Sequence, residues 1–99
     1  MRNVVVCQDQ FITRERKRKF EELCCFATLI KSCPSAEVSR SLRSAVIVYL
    51  RMSFEVLFTH EDSGRLVAFM EVVLLVASGA VPYSVFTEEL DCLKEEYCV

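Results

Sequence analysis

Four residue types are scarce or absent in this chain of 99 residues, which has two Gly, two Pro, one His and no Trp. Two glycines cannot form the Gly-rich loops that cradle phosphate groups, so nucleotide-binding motifs of that kind are excluded. A single imidazole leaves little material for histidine-based catalysis. With 53% hydrophobic and 26% charged residues, the composition also excludes a disordered or low-complexity chain and indicates one compact domain.

Cysteine is the residue type that is unexpectedly common, and its six positions bear on the compartment. An even number of cysteines in a short chain would suit a disulfide framework. However, the N-terminal sequence MRNVVVCQDQF is no signal peptide, and the chain lacks the Gly/Pro-rich loops of disulfide-stapled domains. We therefore expect mostly buried thiols in a reducing cytosol. An intermolecular bridge through Cys7 or Cys98 is the alternative.

No pattern in the sequence favours an enzyme, a metal site or a cofactor. His60 lies in a polar stretch without a nucleophile motif around it, and Cys24 and Cys25 are adjacent rather than in a CxxC pair. The basic run TRERKRKF at residues 13–20 predicts a solvated helix face. Nucleic-acid binding through residues 14–19 is a weaker alternative, because no aromatic residues are interleaved with the charges.

Hydrophobic periodicity predicts an all-α fold with four helices. They are expected over residues 11–30, 35–58, 65–78 and from 82 onward, and only residues 3–7 alternate as a strand would. The second helix carries two apolar stripes and should be buried over more than half of its circumference. The third is apolar all round, which predicts the central helix of a bundle. Its 12 apolar residues, 66–77, are too few to span a membrane.

Local signals mark the ends of these helices. Pro34 ends the first helix, because a residue before proline is pushed out of the helical region. Asp62 or Ser63 can cap the start of the third helix, and Gly79 is expected to stop it. In the last helix, the predicted inward-facing residues are Phe86, Leu90, Leu93 and Tyr97.

Residues 54–73, FEVLFTHEDSGRLVAFMEVV, carry the one motif that points to a family. Leu57-Phe58, the polar loop, Asp62-Ser63-Gly64-Arg65 and the apolar run that follows resemble the first homology motif of the Bcl-2 family of apoptosis regulators. The resemblance implies a Bcl-2-like helical bundle around a central hydrophobic helix at about residues 65–78. The second family motif, with its Trp and paired Gly, has no counterpart. Residues 1–99 are thus expected to form a single domain that lacks the C-terminal part of the family fold.

The resemblance also implies a site, since family members hold an amphipathic death-ligand helix in a hydrophobic groove. Arg65 would pair with the Asp of the ligand, Gly64 would allow a tight turn and close approach, and Ala68 would leave room for the ligand helix. Asp62, in place of the usual Asn, predicts narrow ligand selectivity. The full set of predicted groove residues is Ser53, Val56, Leu57, Asp62, Gly64, Arg65, Val67, Ala68 and Val72.

The implied function is that of a viral inhibitor of apoptosis that sequesters the Bim-like death-ligand helix of a host protein. Viral origin is suggested by small size and divergence rather than by any residue. The implied location is the host cytoplasm, with peripheral contact at mitochondria and no stable membrane insertion, because a hydrophobic C-terminal anchor is missing. The alternative is a helical self-association module, a homodimer without a ligand groove.

Overall fold

The computed structural model describes the backbone of residues 2–58 and 63–97 and the side chains of residues 14–58 and 64–96. These residues form four helices and no strand: α1 (Arg2–Ser32), α2 (Ala36–Phe54), α3 (Ser63–Ala77) and α4 (Tyr83–Tyr97). The expectation of an all-helical chain is confirmed. The strand considered at residues 3–7 is wrong, because α1 runs through it. Valine is only about 0.5 kcal/mol worse than alanine in a helix, so a continuing helix overrides the local β preference.

Both ends of α2 are set by local hydrogen bonds. At its start, the Ser35 side chain accepts a hydrogen bond from the Val38 N–H at 3.5 Å, as an N-cap does. At its end, Glu55 adopts the left-handed conformation with φ of 55°, and its N–H bonds to the Leu50 carbonyl. The prediction that this helix continues to Phe58 is therefore wrong, since it ends at Phe54.

In the four residues after α2, buried and exposed side chains alternate one by one instead of following the helical period. Glu55 and Leu57 are exposed, whereas Val56 and Phe58 are buried in the core, which is the alternation of an extended segment. The Arg51 guanidinium donates a hydrogen bond of 2.7 Å to the Phe58 carbonyl and ties the segment back to α2. Segment 55–58 thus places the side chains of Val56 and Phe58 in the core.

The C-terminal end of α3 forms a Schellman motif at Gly79. Gly79 has φ of 81°, its N–H bonds to the Val76 carbonyl at 3.1 Å, and the Ala80 N–H bonds to the Leu75 carbonyl at 3.0 Å. The predicted stop at Gly79 is confirmed. A residue with a Cβ would be strained at this φ, so glycine lets the chain reverse toward α4 within a few residues.

The core is built around the ring of Phe86 on α4. Its centroid lies 4.5 Å from that of Phe20 on α1, 5.7 Å from that of Phe54 on α2 and 5.9 Å from that of Phe69 on α3. One side chain therefore contacts all three other helices. Leu90 and Leu93 are also buried, as predicted, whereas the Tyr97 side chain lies outside the described residues. The other buried residues are Leu23, Ala27, Val46, Leu50, Val56, Phe58, Leu66, Met70, Val73 and Val76.

A partly buried polar contact ties α1 to α2. The Tyr49 hydroxyl on α2 donates to the Glu22 carboxylate at 2.6 Å and lies 3.0 Å from the Lys19 carbonyl oxygen, both on α1. Its ring also packs against Phe26, with centroids 5.7 Å apart. Burial and the neighbouring Glu22 carboxylate raise the pKa of Tyr49, so the phenol stays protonated and keeps its donor.

α3 is not enclosed as a central helix would be. It packs against α1 and α4, and its opposite face, including Val67, Ala68 and Leu75, is exposed. The molecule extends over 52 × 32 × 19 Å, whereas three stacked helix layers would need about 23 Å between Cα atoms. With two layers, every helix keeps one outer face, and the prediction of a surrounded central helix is wrong for this chain.

α2 is likewise less buried than its two apolar stripes predict. Val46, Leu50 and Phe54 are buried, but Ala45 of the first stripe is exposed. The half of the helix turned away from α1 faces solvent. The expectation that α2 is buried over more than half of its circumference is wrong, because the two-layer arrangement provides no neighbour on that side.

The core assignment predicts unequal effects for two leucines on α1. Leu23 is 0% exposed and Leu29 is 52% exposed. Leu23→Ala should lower the free energy of unfolding by about 2–5 kcal/mol, because it removes buried surface and leaves a cavity. Leu29→Ala should lower it by less than about 1 kcal/mol. Urea unfolding followed by circular dichroism measures both, and equal losses would contradict the described packing.

Candidate functional site

The outer face of α3, made of Gly64, Val67, Ala68, Glu71 and Leu75, is the candidate site. These residues recur at spacings of three and four, so they share one side of the helix, and all five are exposed. Val67, Ala68 and Leu75 have apolar side chains. An exposed apolar strip of this kind is typical of a surface that binds another protein.

Two ion pairs lie at this face: one at its edge toward α4, and one that includes Glu71 within the face. On the α4 side, Arg65 pairs with Glu96 from the last turn of α4. On the α1 side, the Lys31 ammonium lies 3.1 Å from the Glu71 carboxylate. The strip between the two pairs contains Ala68 and Leu75. A helix that docked here would therefore contact Ala68 and Leu75 between the two charged pairs, with Val67 on the far side of Glu71.

Arg65 has its carboxylate partner within the chain. A cation in the first turn of a helix opposes the helix dipole, and Glu96 supplies the compensating charge. The two side chains remain 41% and 48% exposed, and exposed pairs of this kind contribute only about 0–1 kcal/mol. The guanidinium has five N–H donors in a planar fork, so it can engage a second carboxylate at small cost.

Five of the nine predicted groove residues lie together on α3. Val67 and Ala68 are on its outer face, and Arg65 and Val72 are half-buried at the edges. Gly64 lies inside the first turn of α3, so the prediction that it forms a tight turn before the helix is wrong. Because it has no side chain, it still leaves the helix surface open to close approach. Asp62 lies outside the described residues.

The three predicted groove residues before the loop are not brought to this face. Ser53 lines a separate cavity of about 260 Å³ with Phe54, Glu55 and residues of α1 and α4. Val56 is fully buried and cannot contact a ligand from its position. Leu57 is exposed in segment 55–58. The predicted groove between α2 and α3 thus reduces to the outer face of α3.

Four contributors to the site carried no sequence prediction, namely Lys31, Glu71, Leu75 and Glu96. Leu75 lies seven residues after Ala68, and the helical period could have found it. Glu96 is 31 residues from Arg65, and Lys31 is 40 residues from Glu71. No local pattern links residues so far apart, so only the packing of the helices reveals these pairs.

The basic run on α1 is engaged within the chain. Arg18 pairs with Glu15 and Glu22, and its hydrogen bond lowers the pKa of the Glu15 carboxyl. The Lys17 ammonium lies 5.8 Å from the centroid of the Tyr83 ring, a cation–π arrangement. These contacts suit the predicted solvated helix face with its own counter-charges, and nothing in them tests the weaker alternative of nucleic-acid binding.

A cavity of about 600 Å³ lies between α1 and the α3–α4 connection. Its lining includes Lys17, Phe20, Glu21 and the run 79–83, but no His or Cys. Among the side chains that the structure describes, no group of three His, Cys, Asp or Glu is arranged to hold a metal ion. Within the described helices, none combines the length and apolar character needed to cross a membrane.

Comparison with models of protein families, with curated proteins and with solved structures finds no match for this chain. The resemblance in residues 54–73 therefore stays a prediction, and the function has to be argued from the outer face of α3 and its surroundings.

The thiols of two adjacent cysteines on α1 differ in environment. Cys24 is half-buried against α3, with its Sγ 4.0 Å from the Val73 carbonyl oxygen, whereas Cys25 is exposed. Burial, with smaller contributions from Cys25 and Glu21, raises the pKa of the Cys24 thiol to about 11. A raised thiol pKa lowers the fraction of reactive thiolate at any pH below it.

Alkylation should therefore distinguish the two thiols. At pH 8, the thiolate fraction of Cys24 is about 100-fold smaller than that of an ordinary thiol, because its pKa is about two units higher. Iodoacetamide should modify Cys25 first, as read by mass spectrometry of peptides, and the difference should disappear in urea. Equal rates in the folded protein would contradict the α1–α3 contact.

Proposed function

We propose that this chain is a helix-binding protein that holds an amphipathic death-ligand helix on the outer face of α3 and thereby inhibits apoptosis. The observation that carries the proposal is the exposed apolar strip of α3 with Arg65 at its edge. The same stretch of sequence bears the likeness to the first Bcl-2 homology motif. No covalent chemistry is involved, and the chain is not an enzyme.

The spacing of apolar residues on α3 supports this mode of binding. Ala68 and Leu75 are seven residues apart, so they are separated by about 10.5 Å along the helix. Amphipathic helices present their anchors at the same interval, at positions i, i+3 or i+4, and i+7. Ala68 has the smallest side chain of the strip and lets a ligand backbone approach, while Val67 and Leu75 offer apolar contact on either side.

Charge complementarity gives the ligand its orientation. The Asp of a death-ligand helix would meet the Arg65 guanidinium at the N-terminal end of α3 and form a charge-assisted pair. Glu96 would have to share the guanidinium or move away. Because the Arg65–Glu96 pair is exposed, this rearrangement costs little. Asp62, three residues before Arg65 in the sequence, would repel a second acidic group, so we expect narrow selectivity among ligands.

The proposed setting follows from the same resemblance. The ligand is a Bim-like helix of a host protein, and the chain acts in the host cytoplasm or peripherally at mitochondria, as divergent viral members of the family do. Self-association without a ligand groove is the second candidate function. The exposed apolar half of α2 favours it, and the two activities can coexist because they use different helices.

Peptide titration tests the proposal directly. Calorimetry with a panel of death-ligand peptides should give a dissociation constant below about 10 μM for at least one of them. Ala68→Glu should abolish that binding, because it places a charge on the apolar floor. Arg65→Ala should weaken it by about 1.5–3 kcal/mol, the range for hydrogen bonds to charged groups.

The matched control is Arg40→Ala, which removes an exposed arginine from α2. It should leave the affinity unchanged. If no peptide binds at about 10 μM, the proposal is wrong. If Arg40→Ala weakens binding as much as Arg65→Ala, the effect is one of net charge, and the pair with the ligand Asp is refuted.

A further inference from the structure

A second exposed apolar strip lies on α2, which ligand binding as proposed does not use and on which self-association, the second candidate function, rests. The outer face of α2 consists of Val38, Ser41, Ala45, Val48 and Met52, all exposed. Val48 is 53% and Met52 80% exposed. Their spacings alternate between three and four residues, the pattern by which one helix packs along another. Single exposed apolar residues are ordinary, but a continuous seam is not.

The charges beside this seam are arranged in a way that specifies a partner. Glu37 and Arg51 are 14 residues apart, so at 100° per residue they lie within about 40° of each other around the helix. They therefore border the same edge of the seam, one at each end. No residue within the seam itself is charged.

We propose that the outer face of α2 binds the same face of a second copy of this chain, with the two helices antiparallel and a two-fold axis at Ala45. This axis makes the two helices antiparallel and brings the same edge of the seam in both copies to the same side of the interface. Val38 then meets Met52 of the other copy, and Ser41 meets Val48. The small residue Ala45 lies at the centre and the small residue Ser41 one turn away, and together they allow the two helix axes to approach to about 8 Å.

Charge complementarity selects the antiparallel arrangement. It brings Glu37 of one copy to within about two residues of Arg51 of the other along the shared edge, twice per dimer. In a parallel pair the same two groups would stay about 21 Å apart along the axis. Arg51 also donates to the Phe58 carbonyl, but its guanidinium has further N–H donors for a second acceptor.

The size of the seam sets the strength of the association. From Val38 to Met52 it is about 21 Å long, and a single pair of helices buries less than a standard protein–protein interface. The dimer is therefore weak and concentration-dependent, with a dissociation constant above about 10 μM.

Sedimentation equilibrium from about 10 μM to 1 mM tests the association. The wild-type chain should shift from monomer toward dimer over this range. Ala45→Glu should raise the dissociation constant at least tenfold, because it places two carboxylates opposite each other at the axis. Met52→Glu is a second variant at a still more exposed position. Circular dichroism verifies that both remain helical.

The matched control is Ala68→Glu, the same substitution on the outer face of α3. It should dimerise like the wild type, and Ala45→Glu should bind death-ligand peptides like the wild type. The experiment can therefore refute ligand binding on α3 and dimerisation through α2 independently of each other. A monomer at 1 mM, or a dimer indifferent to both α2 variants, overturns the proposal. Loss of peptide binding in Ala45→Glu also overturns the proposal, because it would show that the outer face of α2 binds the peptide rather than a second copy of the chain.

Disulfide trapping tests the orientation. Val38→Cys and Met52→Cys proteins are mixed, oxidised mildly and digested, and cross-linked peptides are identified by mass spectrometry. A 38–52 bridge is expected, whereas 38–38 and 52–52 bridges without it would show a parallel pair and overturn the antiparallel arrangement. The wild-type chain, treated in the same way, gives the background from its own thiols, which include the exposed Cys25 and Cys92.

Discussion

The contact of the Phe86 ring with three other helices is the interaction on which the described structure depends. α1 packs against both α2 and α3, and α3 packs against α4. As a result, α4 makes little direct contact with α2. Phe86 supplies that link, with Phe54 of α2 on one side and Phe69 of α3 on another. Without it, the four helices would form a chain of pairs rather than one core. Aromatic pairs at these distances also add about 0.5–1.5 kcal/mol beyond their burial.

A core this thin leaves apolar surface uncovered. Two layers of helices bury one face of each helix, and the sequence has more apolar residues than two layers can enclose. The surplus lies on α2 and α3, on opposite sides of their own core faces. The two faces differ in charge. That of α3 is crossed by Glu71 and bordered by cations from Lys31 and Arg65, whereas the seam of α2 is uncharged. The two proposed associations, of a ligand with α3 and of a second copy with α2, depend on this difference.

Local rules account for what could be predicted from the sequence. α4 and the apolar part of α3 follow the helical period, and Gly79 follows from the rule that a left-handed residue ends a helix. Segment 55–58 escaped prediction because FEVLF fits a helical stripe as well as an extended alternation, and only the left-handed Glu55 decides between them. For the site, residues on α3 were within reach of a motif, whereas the pairs of Arg65 with Glu96 and Lys31 with Glu71 depend on how distant helices pack. Burial was overestimated for α2 and α3, because periodicity shows which residues are apolar and not how many neighbours exist.

The tight reversal at Gly79 has a consequence for how this chain can tolerate insertions and deletions. α3 and α4 each have 15 residues, so the hairpin closes with the first turn of α3 level with the last turn of α4. One residue added to or removed from α4 would turn Glu96 by about 100° and shift it by about 1.5 Å, away from Arg65. Changes of length are therefore expected to be costly between residues 79 and 96. The register of the hairpin, rather than any one side chain, keeps the charged edge of the α3 face in place.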